Sequence, residues 1–207
     1  MLKLVAGTAL IIVAFAWADP PQTERMCRSK LEAMAVPGCP MPNQQGLMAA
    51  RIKRAIAKLQ EPPIIFVGDS ITALAPLPEA INGVPVVNAG IGGADTSIDF
   101  PSIIAGRFMA RLIVVALGTN DVAYPNPEGF ADRYSHLLAR LQPLTDRMVL
   151  VSVPTRATYD VTAVNEIIRA QGLPVVTLGE LEKTGDGIHL TAAAYEQWTK
   201  AILGGAS

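Results

Sequence analysis

From Ile64 onward, short apolar runs alternate with stretches whose apolar residues recur at helical spacing. The runs cover 64–67, 84–87, 112–117, 148–153 and 175–178. They do not alternate apolar with polar, so each reads as a strand buried on both faces, as in a parallel sheet sandwiched by helices. Between them, Phe130, Tyr134, Leu137, Leu138 and Leu141 mark one helix, and Val161, Val164 and Ile168 another. An earlier helix carries Met48, Ile52, Ala55, Ile56 and Leu59 and is stopped by Pro62-Pro63. A last one, capped by Thr191, turns Tyr195, Trp198 and Ile202 inward. This order predicts one α/β domain with a five-stranded, mainly parallel sheet. A chain of 207 residues suits one full core better than two.

The first residues follow a different pattern. Lys3 precedes an uncharged run over 4–17, and Ala16-Trp17-Ala18 stands just before Asp19-Pro20-Pro21. A positive start, an apolar core and a small-x-small site are the marks of a secretory signal peptide, here 1–18. The alternative, an uncleaved anchor, needs about 20 apolar residues to span a bilayer, more than the run supplies. Residues 19–61 read as an N-terminal extension with a short helix over 24–35. The two cysteines of the chain, Cys27 and Cys39, lie there. In an exported protein they are expected to form one local disulfide, since neither has the C-x-x-C spacing of a redox or zinc motif. Residues 62–204 carry the α/β pattern. The expected location is periplasmic or secreted, with no stable membrane span after cleavage.

Charge narrows the partners. A net charge of -1, with charged residues at 17%, leaves no basic footprint for nucleic acid. A small neutral substrate fits better.

In sheets of this kind, sites gather beyond the carboxyl ends of the strands. Ser70 in Gly68-Asp69-Ser70 follows the first run, Asn88-Ala89-Gly90-Ile91-Gly92-Gly93 the second, and Gly118-Thr119-Asn120-Asp121 the third. Asp186-Gly187-Ile188-His189 comes after the last. A serine is a weak nucleophile unless a base takes its proton, and the chain has only two histidines. His136 sits in a helical pattern, which leaves His189, with Asp186 three residues before it. Taken singly, Ser70 could be a helix N-cap and the Asn120 and Asp186 segments mere turns. Their joint occurrence at successive strand ends favours catalysis. Asp69 and Asp121 read as turn-shaping residues, and Arg156 as a salt-bridge residue that could instead touch substrate. Asp69, Asp121, Asp186 and His189 could also converge on a metal, but such sites usually draw on several histidines. A nucleotide fingerprint would need glycine where Asp95 stands. No cofactor or metal is therefore expected.

These four blocks, in order from Phe66 to Leu190, resemble those of the SGNH (GDSL) hydrolases. The resemblance implies a three-layer α/β/α flavodoxin-like sandwich and ester hydrolysis through an acyl-serine. It makes Ser70 the nucleophile and Asp186 with His189 the rest of the triad. Ser70, Gly93 and Asn120 become the oxyanion donors, with Gly92 as the alternative glycine because Ala94 separates Gly93 from Asp95. Acid and base on one loop, and Thr72 where a glycine would be needed, set the pattern apart from the α/β-hydrolase elbow. The expected substrate is an acyl ester, acetyl included, of a carbohydrate, lipid or small molecule. Acyl transfer on the same triad, or an exported module that binds acylated glycans without turnover, are the alternatives.

Overall fold

The computed structural model describes residues 44–123, 127–155 and 159–205, all within the unit 43–207. The expected signal peptide, the 24–35 helix, both cysteines and Arg156 lie outside the described residues. A sheet forms the middle layer, built from β1 (Ile64–Gly68), β2 (Ala80–Ile81), β3 (Val84–Gly90), β4 (Leu112–Ala116), β5 (Met148–Val151) and β6 (Val175–Val176). Its order is β2-β3-β1-β4-β5-β6, and every neighbouring pair is parallel except β2 with β3.

Both faces of the sheet are covered, which is why the apolar runs do not alternate. Ile65, Val67, Ile113 and Val115 face one layer, made of α1 (Gln44–Ala57), α3 (Phe100–Ile104), α4 (Pro127–Leu141) and α5 (Thr162–Arg169). Ile64, Phe66, Leu112 and Val114 face the other, made of α2 (Ser70–Leu74) and α6 (Ala192–Gly205). On α4, Phe130, Tyr134, Leu137, Leu138 and Leu141 are all buried, while His136 is exposed. On α6, Trp198 and Ile202 are fully buried, and the Thr191 hydroxyl accepts the Ala194 N–H at 3.3 Å, capping the helix. Among the described residues, no helix is long and apolar enough to cross a membrane.

The sheet exceeds the expected five strands by one. The addition is the two-residue β2, too short to leave a hydrophobic period. It is joined to β3 by Asn82-Gly83, whose φ values of 51° and 80° give the left-handed turn that suits a tight hairpin. Short α2 and α3 also escape the sequence pattern. A five-residue helix has little propensity of its own and forms because its cap and its neighbours hold it.

Candidate active site

The strand register brings the suspected residues to one edge. At the carboxyl end of β1, Gly68 pairs with Gly90 of β3 on one side and Ala116 of β4 on the other. The loops bearing Ser70, Gly93 and Asn120 therefore leave the sheet side by side. Ser70 is the first residue of α2, and Asp69 caps that helix, its carboxylate accepting the Ile71 N–H at 2.8 Å. The helix sits directly on the strand ends. A Cβ on Gly90 would lie 2.2 Å from the Ala73 nitrogen, and one on Gly68 would lie 1.9 Å from the Thr72 hydroxyl. Asn88 fastens the other end of α2, donating to the Thr72 carbonyl at 2.7 Å.

His189 reaches this serine from the far end of the chain. Its Nε2 is 2.9 Å from Ser70 Oγ, and its Nδ1 is 2.5 Å from Asp186 Oδ2. The second carboxylate oxygen of Asp186 accepts from the Ile188 and His189 N–H groups at 2.9 and 3.0 Å and from the Thr184 hydroxyl at 2.8 Å. The imidazole beside it, and then those N–H groups, hold the Asp186 carboxyl well below the usual carboxylate range. The loop is closed by the Thr184 N–H donating to the His189 carbonyl at 2.8 Å and by a bridge between Lys183 and Leu190. Side chains of His189 and Asp186 are 30% and 47% exposed, so water reaches both. A hydroxyl, an imidazole and a carboxylate joined in this order can pass the serine proton to the ring while the acid fixes the tautomer.

The two other strand-end loops offer donors. Ser70 N–H is at the first position of a helix, where no intrahelical acceptor exists. Gly93 has a φ of +70°, a conformation that glycine adopts without strain. Its neighbour Gly92 is engaged elsewhere: its N–H donates to the Met48 sulfur at 3.4 Å, and its carbonyl accepts from Gln45 at 3.4 Å. Asn120 donates one amide hydrogen to the Ala94 carbonyl at 2.7 Å, which ties the loops after β3 and β4 together; the amide has a second hydrogen to give.

A buried network underlies these loops. Asp121 accepts from the Thr96 N–H at 3.2 Å, the Thr96 hydroxyl at 2.6 Å and Arg133 at 3.2 Å. Arg133 also donates to the Thr96 hydroxyl at 3.1 Å. Thr96 and Arg133 carry no mark in the sequence, and Met48 reads there only as an apolar helix residue. The one usable signal was an aspartate beside Asn120 in an apolar context, which demands donors when buried. Asp69 is equally buried. Burial pushes its carboxyl up to about 6, against the Ile71 N–H, the Thr119 hydroxyl and the nearby His189, which favour its charge. Its Oδ2 lacks a hydrogen bond of good geometry and lies beside a cavity of about 10 Å³ lined also by Thr119, Ser152 and Trp198. Asp69 and Asp121 are thus committed to a helix cap and a loop tie. Among the described residues, no three of the metal-ligating types converge.

No family model and no curated protein matches the chain. Solved structures do. A Streptococcus pneumoniae protein named for platelet activating factor aligns with 24% identity and a TM-score of 0.60, covering 79% of this chain and 93% of its own. A GDSL-like lipase from Bacteroides thetaiotaomicron gives 20% identity and 0.60 over 75% and 95%. An acetylxylan esterase from Geobacillus stearothermophilus gives 15% and 0.52 over 70% and 94%. The architecture described above is shared with all three.

Proposed function

We propose that this chain, which has the fold of the SGNH (GDSL) hydrolases, is an ester hydrolase working through an acyl-serine. The observation that carries the reading is the unbroken hydrogen-bonded series Ser70, His189, Asp186 at the carboxyl edge of the sheet. Ser70 Oγ attacks the ester carbonyl as its proton passes to His189 Nε2. The bond from carbonyl carbon to the alcohol oxygen then breaks, and the same proton goes to that oxygen. Water repeats the sequence on the acyl-serine, releasing the acid and restoring the hydroxyl. Charge that develops on the carbonyl oxygen is met by the N–H groups of Ser70 and Gly93 and by the second amide hydrogen of Asn120. The half-exposed imidazole and carboxylate favour hydrolysis over transfer, because water can approach the base. A glycan or small-molecule ester is the expected substrate. Export with cleavage after Ala18 and a Cys27–Cys39 bond belong to the same proposal, and intact mass with and without reductant tests them.

The deciding experiment measures p-nitrophenyl ester turnover for Ser70→Ala, His189→Ala and the double variant, each checked for folding by circular dichroism. If the residues act as one unit, the single variants fall to similar residual rates and the double falls hardly further. Additive losses, or full turnover without Ser70, would remove the acyl-serine reading.

A further inference from the structure

The charge on α1 is of one sign. The helix holds Arg51, Lys53 and Arg54, Lys58 follows in the turn that closes it, and no acidic residue occurs over 44–60. On α4 the arginines are balanced, Arg133 by Asp121 and Arg140 by Asp99. Among the described residues, none of the four cations of α1 has a carboxylate partner. Their spacing orders them. Leu47, Arg51, Arg54 and Lys58 recur at intervals of four, three and four, so they share one face of the helix. All are exposed, while Ile52 and Ile56 on the opposite face are buried. Cations near a helix C-terminus complement its dipole, which accounts for Arg54 and Lys58 but not for Arg51, Lys53 or Leu47.

Leu47 is 54% exposed, and Leu74 of α2 is 60% exposed. Met48 and Arg51 of α1 line one groove together with Ala73 of α2, so the leucine beside Met48 and the leucine beside Ala73 belong to the same corner of the domain. We infer that this corner is a docking surface for an anionic lipid bilayer, with the two leucines entering the headgroup layer and the cations of α1 meeting lipid phosphates. The inference does not depend on the ester-hydrolase reading. Helices that lie at a bilayer surface combine basic side chains with leucines in this way. Because Ile52 and Ile56 are already buried in the core, the contact is shallow, reversible and carried mainly by charge.

A soluble polyanion would satisfy the cations and leave both leucines in water. No aromatic residue over 44–60 offers a face for stacking against a base. Docking through this corner also sets the carboxyl edge of the sheet beside the membrane, because Met48 receives the Gly92 N–H and Ser70 begins the helix that carries Leu74.

The test is cosedimentation of the full chain with phosphatidylcholine vesicles, prepared with and without phosphatidylglycerol. The apolar run at 4–17 is common to every variant and indifferent to lipid charge, so the difference between the two lipids is what is read. A cation held at an anionic surface contributes about fivefold in binding, and three about a hundredfold. Wild type should prefer the anionic vesicles by about that factor at low salt, and less as salt shortens the screening length below about 10 Å. Replacing Arg51, Arg54 and Lys58 together by Gln should remove most of the preference. Arg169→Gln with Lys200→Gln, exposed cations of α5 and α6, should keep it. Leu47→Ser with Leu74→Ser should weaken binding about tenfold and leave its salt dependence in place. Every substituted side chain is exposed, and melting curves check that each variant is folded. Equal binding to the two lipids, an unchanged triple variant, or a preference that the Arg169 and Lys200 substitutions also remove would overturn the docking face. Binding to dextran sulfate that matches binding to vesicles and ignores the leucines would overturn the bilayer as its occupant.

Discussion

Asp69 and Asp186 stand on either side of one serine and histidine pair, and the protein moves their proton affinities in opposite directions. Asp69, raised from 3.8 to about 6 chiefly by burial, holds its proton more tightly folded than unfolded. Stability should therefore fall as pH rises through that window, by about 3 kcal/mol at most. Asp69→Asn keeps an oxygen for the Ile71 N–H and removes the charge. Urea unfolding at pH 8 should show it more stable than wild type, and at pH 3.5 the two should converge; equal stability at pH 8 would contradict the burial argument. Asp186 is lowered, so its contribution is present above 3.8 and fades only as pH falls toward its folded value. It stays ionised throughout the neutral range. Asp186→Asn should lower the neutral urea midpoint, modestly because the carboxylate is exposed, and lower turnover by up to about 10⁴-fold through the wrong tautomer. Asn120→Ala should cost roughly 10²–10³-fold in kcat, with KM less affected, since its amide acts on transition-state charge. The triad was legible in sequence because an acid and base three residues apart sit on one loop. Asp69 was legible only as a turn residue, since nothing local tells that its carboxyl is sealed from water.

Each of the loops around the serine is set by a different element. Replacing Gly90 by Ala would press a methyl against the backbone of α2 at Ala73, so the helix bearing Ser70 has to shift. Gly90→Ala should lower kcat far more than it lowers the melting temperature, because a displaced nucleophile loses alignment before the sheet loses its core. The loops after β3 and β4 depend instead on α4. In Arg133→Met the buried Asp121 carboxylate would lose its cation, and a cost of about 2 kcal/mol is expected, less than for a fully buried pair because Arg133 is 36% exposed. Calorimetric melting beside turnover would show it, with unchanged values for both refuting the tie. Long elements were readable from the chain because burial on both faces, or on one helical stripe, leaves a period. β2, α2 and α3 are two to five residues long and leave none. The Thr96, Asp121 and Arg133 network is equally invisible, since contacts between positions so far apart carry no spacing rule.

At the scale of the whole molecule, the sheet is an open platform whose carboxyl edge collects groups from nearly every crossover. α6 seals the second face through Trp198, which also borders the small cavity beneath Asp69. Trp198→Ala should cost about 3–5 kcal/mol, as for other large core truncations, and urea titration would measure it. The hydrogen bond between Ser70 and His189 joins positions 119 residues apart. The serine is therefore made early and the histidine late. As the chain leaves the ribosome, α2 and the first parallel strands can settle while the hydroxyl still has no partner to take its proton. On the proposed mechanism such a nascent chain would be inert toward esters until its closing segment folds back, and in refolding, ester turnover should return with the slowest phase rather than with the sheet.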